Sequence, residues 1–195
     1  MNLCENKIER NKILEIFEEA FKDSPGMTWM IANNKKKMKS ILKLFIHEAS
    51  LKKGAFLTKN KSGAVLFFSL QNNTNSTALI LRKLYVFFFV VGVNRGIKAI
   101  RYKKLINEIR PKEGLLGWLV ASNQNISGNE AAYEIKREMF RIADETNQPI
   151  FVETTVPRVR KLYRLAGYKE YQSIQHPYEE LTIWFMRRDP ENKKS

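Results

Sequence analysis

Residues 150–168 read IFVETTVPRVRKLYRLAGY and carry the clearest structural signal in the chain. The segment from Ile150 to Thr154 is β-branched or aromatic except for Glu153, and this composition predicts a strand. A short helix is expected to follow from about Val156 to Leu165, and Gly167 ends it. The unit is therefore a strand, a helix and a glycine stop.

The segments on either side of this unit extend it into an α/β pattern. LLGWLVA at 115–121 is a nearly continuous apolar run, as expected for a central buried strand. A helix follows it, with Ser127 and Glu130 at the spacing of a capping box at its start. Two further strands are predicted at 168–174 and 181–187. The order strand, helix, strand, helix, strand, strand indicates the α/β class.

The first half of the chain predicts two helices and a hairpin. Apolar side chains recur at roughly helical spacings in both helices. Turn chemistry at 24–26 is expected to end the first helix, and Gly54 suits the exit of the second. A turn at 61–63 joins the two strands of the hairpin. The expected bounds of these helices and strands are 7–21, 35–51, 55–58 and 64–68.

A helical insertion is predicted at 77–110, where Leu84 to Val93 form a run without a charged residue. Ten residues are too few to span a bilayer as a helix, which needs roughly twenty. The favoured interpretation is a buried or partner-covered helix. Because basic residues flank the run and aromatic residues fill it, a helix lying in a membrane interface is the alternative.

Composition limits the classes of partner and the compartment. The chain has 195 residues and a formal charge of +14, which favours an anionic partner. Its basic residues are not interleaved with aromatic residues as in a nucleic-acid-binding motif, so no nucleic-acid partner is expected. The single cysteine, Cys4, fits a reducing cytoplasm and is expected to be incidental, near a mobile terminus. The first residues are too polar for a signal peptide, so a cytoplasmic protein is expected.

The Leu162-Tyr163 pair shortly before Gly167-Tyr168 resembles the C-terminal signature of the GNAT superfamily of N-acetyltransferases. Segments 143–149 and 184–188 resemble one subgroup of that superfamily, and the resemblance covers about residues 113–188. It implies a single domain over 1–195 with a mixed, mostly antiparallel central sheet flanked by helices. The helical insertion then lies between the third and fourth strands.

The resemblance also implies a reaction and a set of site residues. Acetyl-CoA would be the co-substrate and a primary amine of a small molecule or peptide the acceptor. The tyrosine that protonates the departing thiolate in this superfamily corresponds to Tyr163. The pantetheine arm would pair with the edge of the fourth strand, at Leu119, Val120 and Ala121. The pyrophosphate would rest on the following loop, formed by Asn125, Ile126, Ser127, Gly128, Asn129 and Glu130.

The phosphate-binding loop departs from the superfamily pattern at two positions. Gly128 is kept, but Asn125 stands where the pattern has Gln or Arg, and Glu130 stands where it has a small residue. Glu130 could repel the pyrophosphate or fold back into the capping box. The alternative function is therefore a catalytically degenerate GNAT-fold scaffold that uses the apolar segment 79–93 for contact with a partner or a membrane surface.

Other candidate residues carry weaker signals. Glu153 lies near the expected reaction centre and is a candidate general base, although a structural hydrogen bond is the favoured interpretation. His176 is expected to be an exposed turn histidine. No metal-binding spacing is present, and His47 has no partner at a suitable distance along the chain. A membrane surface is the less favoured partner, and a homodimer stays open.

Overall fold

The computed structural model describes residues 1–31, 34–72, 74, 76–123 and 129–191. Its strands are β1 (Asn2–Leu3), β2 (Ala55–Leu57), β3 (Gly63–Ser69), β4 (Leu115–Ser122), β5 (Ile150–Thr154), β6 (Lys169–Gln175) and β7 (Thr182–Arg188). Its helices are α1 (Lys7–Ala20), α2 (Pro25–Ile31), α3 (Lys35–Leu51), α4 (Thr77–Tyr85), a π-helical turn (Val86–Val91), α5 (Val93–Ile109), α6 (Glu130–Thr146) and α7 (Pro157–Leu165).

The seven strands form one sheet in the order β1-β2-β3-β4-β5-β7-β6. Every neighbouring pair is antiparallel except β4 and β5, which are parallel and are connected through α6. The expected mixed, mostly antiparallel sheet flanked by helices is confirmed. The helical insertion lies between β3 and β4, as predicted.

The two faces of the sheet are covered by different helices. Strand β5 shows the division, because successive side chains of a strand point to opposite faces. Phe151 belongs to a buried cluster with side chains of α1 and α3. Its neighbour Val152 belongs to a second cluster, which contains Ile135 and Met139 of α6. The core is therefore two layers, one on each side of the sheet.

The N-terminal segment is ordered into the sheet, so the expected mobile terminus is wrong. The Cys4 backbone N–H donates to the Ala55 carbonyl at 2.8 Å, and the Met1 ammonium pairs with the Glu134 carboxylate at 3.0 Å. Cys4 itself is buried. Burial raises the pKa of the Cys4 thiol to about 11, so the thiol is protonated at neutral pH.

Two local predictions in the first half need correction. Ser24 to Gly26 was expected to be only a turn, but Pro25 begins α2. Proline is favoured in the first turn of a helix, where its missing N–H leaves no bond unmade. At the end of α3 the left-handed backbone belongs to Lys53, at φ 53°, and not to Gly54. Gly54 has a different role, since β3 passes close against it.

The insertion is only half buried, so it is not a helix buried within this chain, and its cover by a partner stays a prediction. Leu79, Val86 and Val90 are buried and pack on the α3 side of the sheet. Phe88 and Phe89 point outward, and Phe89 is 79% exposed. Within the described residues, no helix combines the length and apolar character needed to cross a membrane.

We predict that Gly54→Ala destabilises the protein, because a Cβ at this position would lie 2.6 Å from both the Phe67 carbonyl oxygen and the Phe68 Cβ. The expected loss in the free energy of unfolding is about 1–3 kcal/mol, measured by urea denaturation. Gly26→Ala is the matched control, since its Cβ would meet nothing closer than Thr155 Oγ1 at 3.7 Å. Equal unfolding midpoints for the two variants would contradict this account.

Candidate functional site

A β-bulge in β4 separates β4 from β5 and creates a cleft in the sheet. Leu66 pairs with Leu119 and Phe67 pairs with Gly117, which leaves Trp118 without an opposing residue on β3. Such an extra residue bends its strand and disrupts the local ladder. The parallel pairing of β4 with β5 stops at Gly117 and Val152. From Trp118 onward, β4 therefore pairs with a strand on one side only, as far as the described residues show.

The backbone of Val120 faces the free side of β4. The Asn123 N–H donates to the Ser62 carbonyl at 2.7 Å, so Asn123 faces β3. In an antiparallel ladder, alternate residues bond to the same neighbour, and Ala121 and Leu119 therefore also face β3. Val120 presents its N–H and C=O to the cleft. Of the three residues predicted for this edge, Val120 is the one with its polar backbone groups available.

Most of the predicted phosphate loop, Asn125 to Gly128, lies outside the described residues. The predicted capping box is wrong, because α6 begins at Glu130 with Asn129 as its N-cap residue. Glu130 is then the first residue of the helix and not the third. Its carboxylate accepts a hydrogen bond from Asn60 Nδ2 at 3.4 Å. The side chain is thus directed toward the turn between β2 and β3.

Tyr163 lies on α7, on the same face of the sheet as Val120. Both are half-buried and pack against the cluster that contains Val152. The ring of Tyr163 contacts the ring of Tyr168, with centroids 5.2 Å apart. Burial raises the pKa of Tyr163 to about 12, so the phenol keeps its proton throughout the neutral range. Its hydroxyl can therefore donate a proton or a hydrogen bond on this side of the cleft.

Helix α7 also presents a positive surface that the sequence analysis did not single out. Four of its nine residues are Lys or Arg and none is acidic. Arg160 is neutralised by Glu170 at 2.6 Å, whereas Arg158, Lys161 and Arg164 are exposed. The four basic residues, spread over one short amphipathic helix, were visible in the sequence. Their proximity to Tyr163 makes them candidates for binding an anion.

The opposite face of the cleft carries an ion pair. Glu153 of β5 accepts two hydrogen bonds from Arg110, from Nε at 2.7 Å and from Nη2 at 2.9 Å. Both carboxylate oxygens are therefore engaged, and taking up a proton would disrupt this bidentate pair. The geometry supports the structural interpretation of Glu153 over the role of a free base.

Four aromatic side chains form a wall beside this ion pair, which we call the aromatic wall: Trp29, Tyr102, His176 and Tyr178. Trp29 stacks parallel to Tyr178 at 5.8 Å and meets His176 and Tyr102 edge-on, at 4.7 and 5.6 Å. Burial, and then the charge of Glu153, raise the pKa of Tyr102 to about 12. Tyr102 therefore connects the wall to the ion pair. The wall unites α2, α5 and the β6–β7 connection, which are far apart in sequence.

His176 is buried, so the expected exposed turn histidine is wrong. Its side chain is 4% exposed, and its Nδ1 accepts a hydrogen bond from the Tyr178 N–H at 3.2 Å. This bond puts the ring proton on Nε2, which is buried and has no hydrogen-bond partner among the described residues. Burial also lowers the pKa of His176. A neutral imidazole thus holds an unused donor within the aromatic wall.

Two other features lie away from the cleft. A surface groove of about 980 Å³ runs along α6, but its lining includes none of Val120, Glu153 and Tyr163. Within the described residues, no group of three His, Cys, Asp or Glu side chains could hold a metal ion. Neither the groove nor a metal centre therefore replaces the free edge of β4 as the candidate site.

We predict that His176 makes the protein less stable in acid. The pKa of His176 is lowered in the folded state, so the folded state binds fewer protons than the unfolded state below an unfolded pKa of about 6.5. His176 therefore costs no stability well above this pH, and the free energy of unfolding falls as the pH drops from this value toward the lowered folded pKa. Between pH 7.5 and 5.5, the wild type should lose up to about 1.4 kcal/mol more than His176→Asn, which retains an acceptor for Tyr178 N–H. Urea denaturation at both pH values measures the difference, and equal losses would contradict the prediction.

No family model matches the chain, and the comparison with curated proteins finds no match. Solved structures do match it over nearly their whole length. The C-terminal condensation domain of Ebony, solved with β-alanyl-dopamine, has a TM-score of 0.63 at 14% identity and covers 97% of this chain and 96% of its own.

Two acetyltransferase structures match in the same way. One, from Corynebacterium glutamicum, is described as histone acetyltransferase HPA2 and related acetyltransferase. It has a TM-score of 0.63 at 14% identity, and the alignment covers 98% of this chain and 96% of that chain. The other, arylalkylamine N-acetyltransferase 2 from Aedes aegypti, has a TM-score of 0.60 at 10% identity, and the alignment covers 96% of this chain and 97% of that chain. The shared architecture gives the chain the fold of these structures, which is the fold expected from the resemblance to the GNAT superfamily.

Proposed function

We propose that this protein is an N-acetyltransferase that transfers the acetyl group of acetyl-CoA to a primary amine of a small molecule or peptide. The observation that carries the proposal is the free backbone edge of β4 at Val120, on the same side of the sheet as the phenol of Tyr163. The similarity to structures described as acetyltransferases supports it at the level of the fold.

The free edge suits the pantetheine arm of acetyl-CoA. Its two amides can bond to a strand as an added strand would, using the N–H and C=O of Val120. The predicted contacts of Leu119 and Ala121 are then made by their side chains alone, since their backbones bond to β3. This division follows from the register of the ladder.

The anionic end of acetyl-CoA has positive charge near the same edge. The start of α6, at Asn129 and Glu130, offers unpaired N–H groups to a pyrophosphate, together with the predicted loop from Asn125 to Gly128. The Glu130 carboxylate accepts a hydrogen bond from Asn60 and is therefore directed toward the β2–β3 turn. In that orientation it does not point at a pyrophosphate bound at the start of α6. The exposed basic residues of α7, Arg158 and Lys161 among them, can pair with further phosphate oxygens.

The proposed reaction uses the two faces of the cleft for its two substrates. The neutral amine attacks the thioester carbonyl carbon and forms the C–N bond. The C–S bond then breaks, and the leaving thiolate takes the proton of the Tyr163 hydroxyl. The phenolate recovers a proton released from the acetylated nitrogen through solvent. Proton transfer from Tyr163 is needed only as the C–S bond breaks, so the phenol acts in the transition state and not in binding.

The amine acceptor would approach from the face that carries the aromatic wall. The half-buried rings of Tyr102 and Tyr178 offer flat apolar surfaces, whereas Trp29 and His176 are buried within the wall. The Arg110–Glu153 pair lies beside them at the end of β5. A surface of this kind favours an amine whose carbon skeleton is apolar or aromatic.

We predict that acetyl-CoA stabilises the protein against heat. At about a hundredfold excess over its dissociation constant, the gain in the free energy of unfolding is about 2.7 kcal/mol, which raises Tm by several degrees. Differential scanning fluorimetry measures the shift, with ATP at the same concentration as the control for phosphate binding alone. No shift at millimolar acetyl-CoA, or an equal shift with ATP, would contradict the proposed function.

We predict that Tyr163→Phe lowers kcat by about tenfold to a thousandfold and leaves the Kd for acetyl-CoA nearly unchanged. The substitution keeps the ring that contacts Tyr168, so folding should be preserved. Tyr168→Phe is the control, since it removes a hydroxyl from the other member of the same ring pair. A thiol-release assay with an acceptor found by screening amines gives kcat. Equal kcat values for the two variants would assign the acid role elsewhere.

A further inference from the structure

The insertion between β3 and β4 exposes an unusual amount of apolar surface. Nine of the fifteen large apolar side chains exposed among the described residues lie between residues 80 and 100. Those on α4 and the π-helical turn form one stripe at helical spacing. The stripe consists of Ile80, Leu81, Leu84, Tyr85, Phe88 and Phe89. We call this stripe, with its continuation on α5, the insertion face.

The stripe continues on α5 and belongs to a fixed surface. Val93, Ile97 and Ile100 are exposed at spacings of four and three residues, on the face of α5 opposite to Tyr102, and the buried Gly96 lies at the edge of that face. The ring of Phe87 packs directly on Gly96, where an added Cβ would lie 2.6 Å from the ring. This close contact holds the π-helical turn against α5.

The exposed side of α4 cannot rotate into the core. The opposite side of α4 and of the π-helical turn is already packed, with Leu79, Val86 and Val90 buried. Lys83 pairs with Glu48 of α3 at 2.9 Å and fixes the same orientation. The helix is therefore apolar on two sides, and one of them has no cover among the described residues. An apolar surface of this size indicates an interaction site.

The charge of the insertion selects the kind of partner. Residues 77–110 contain eight Lys or Arg and one Glu, so this segment carries +7, half of the formal charge of +14. Arg82 is exposed at the border of the stripe on α4, and Lys98 and Arg101 are exposed next to Ile97 and Ile100 on α5. Apolar and aromatic side chains bordered by long basic side chains match the boundary between acyl chains and anionic headgroups.

We propose that the insertion face docks on the surface of a bilayer that contains anionic lipids. Phe88 and Phe89 enter the outer acyl region, while Arg82 and Arg101 extend to the headgroups. A second copy of the chain is a poorer match, because two insertion faces would bring the exposed basic side chains Arg82, Arg101 and Lys104 of both copies together. This proposal does not depend on the proposed acetyl transfer, since none of its residues lies in the cleft.

Vesicle co-sedimentation tests the proposal with the full chain. The vesicles contain phosphatidylcholine with 30% phosphatidylglycerol, or phosphatidylcholine alone. The wild type should partition onto the anionic vesicles at least about tenfold more strongly than onto the neutral ones, and less strongly as salt is raised. Phe88→Ser/Phe89→Ser should lower partition onto the anionic vesicles by about tenfold or more. Ile8→Ser/Leu51→Ser, which alters exposed apolar residues of α1 and α3, should leave it unchanged.

A charge-matched pair of variants tests the role of the basic residues. Arg82→Gln/Arg101→Gln/Lys104→Gln should weaken binding to the anionic vesicles severalfold and reduce its salt dependence. The control Lys36→Gln/Lys39→Gln/Lys43→Gln removes the same charge from exposed positions of α3 and should have a smaller effect.

Three outcomes would overturn the proposal. They are equal binding to neutral and anionic vesicles, equal losses for the two charge variants, and a wild-type dimer that ignores vesicles and is dissociated by Phe88→Ser/Phe89→Ser. Light scattering on the eluate of a sizing column detects the dimer. All substitutions are at exposed positions and should leave the fold intact. Unchanged Tm values confirm that the variants are folded. The vesicle result is separable from the acetyl-CoA result, since either can fail while the other holds.

Discussion

The extra residue at Trp118 is the feature on which the candidate site depends. Without the bulge, β4 would continue to pair with β5 and the sheet would be closed. With it, the parallel ladder ends at Gly117 and Val152, and the edge of β4 at Val120 is left free. The packing of β4 just before the bulge is tight. There an added Cβ on Gly117 would lie 2.9 Å from Met139 and 3.0 Å from Val152.

Helix α5 links the site to the outer surface of the molecule. On one side, Tyr102 joins the aromatic wall, and Arg95 donates to the Trp29 carbonyl at 2.6 Å. At the end of the helix, Arg110 holds Glu153. On the other side, Ile97 and Ile100 belong to the insertion face. A single helix therefore contributes to the aromatic wall and the Arg110–Glu153 pair and carries part of the proposed membrane-docking surface.

The sequence predicted the elements better than their environments. The strand at 150–154 and the helix at 35–51 have the bounds expected from their periodicity, because local pattern and propensity determine such elements. The burial of His176 could not be predicted, since it depends on Trp29 and Tyr102, which are distant in the chain. The start of α6 was misplaced for a similar reason. Glu130 bonds to Asn60 of a distant turn, which no local capping rule includes.

Only those parts of the candidate site that lie in a single continuous segment could be predicted from the sequence. Tyr163 and the strand edge at 119–121 were identified through a family resemblance, and their roles remain predictions. The pairing of Glu153 with Arg110 joins two segments forty-three residues apart and had no signal in the sequence. The bulge at Trp118 was also invisible, because an apolar run of seven residues has the same pattern with or without an extra unpaired residue.

The central claim is that the free edge of β4 binds the pantetheine arm of acetyl-CoA. Amide hydrogen exchange measured by NMR, residue by residue, tests this claim most directly. The account predicts that acetyl-CoA slows exchange at Val120 and Ser122, whose N–H groups face the cleft, far more than at Leu119 and Ala121, which already bond to β3. Unchanged exchange at Val120 and Ser122 in the presence of saturating acetyl-CoA would contradict the account.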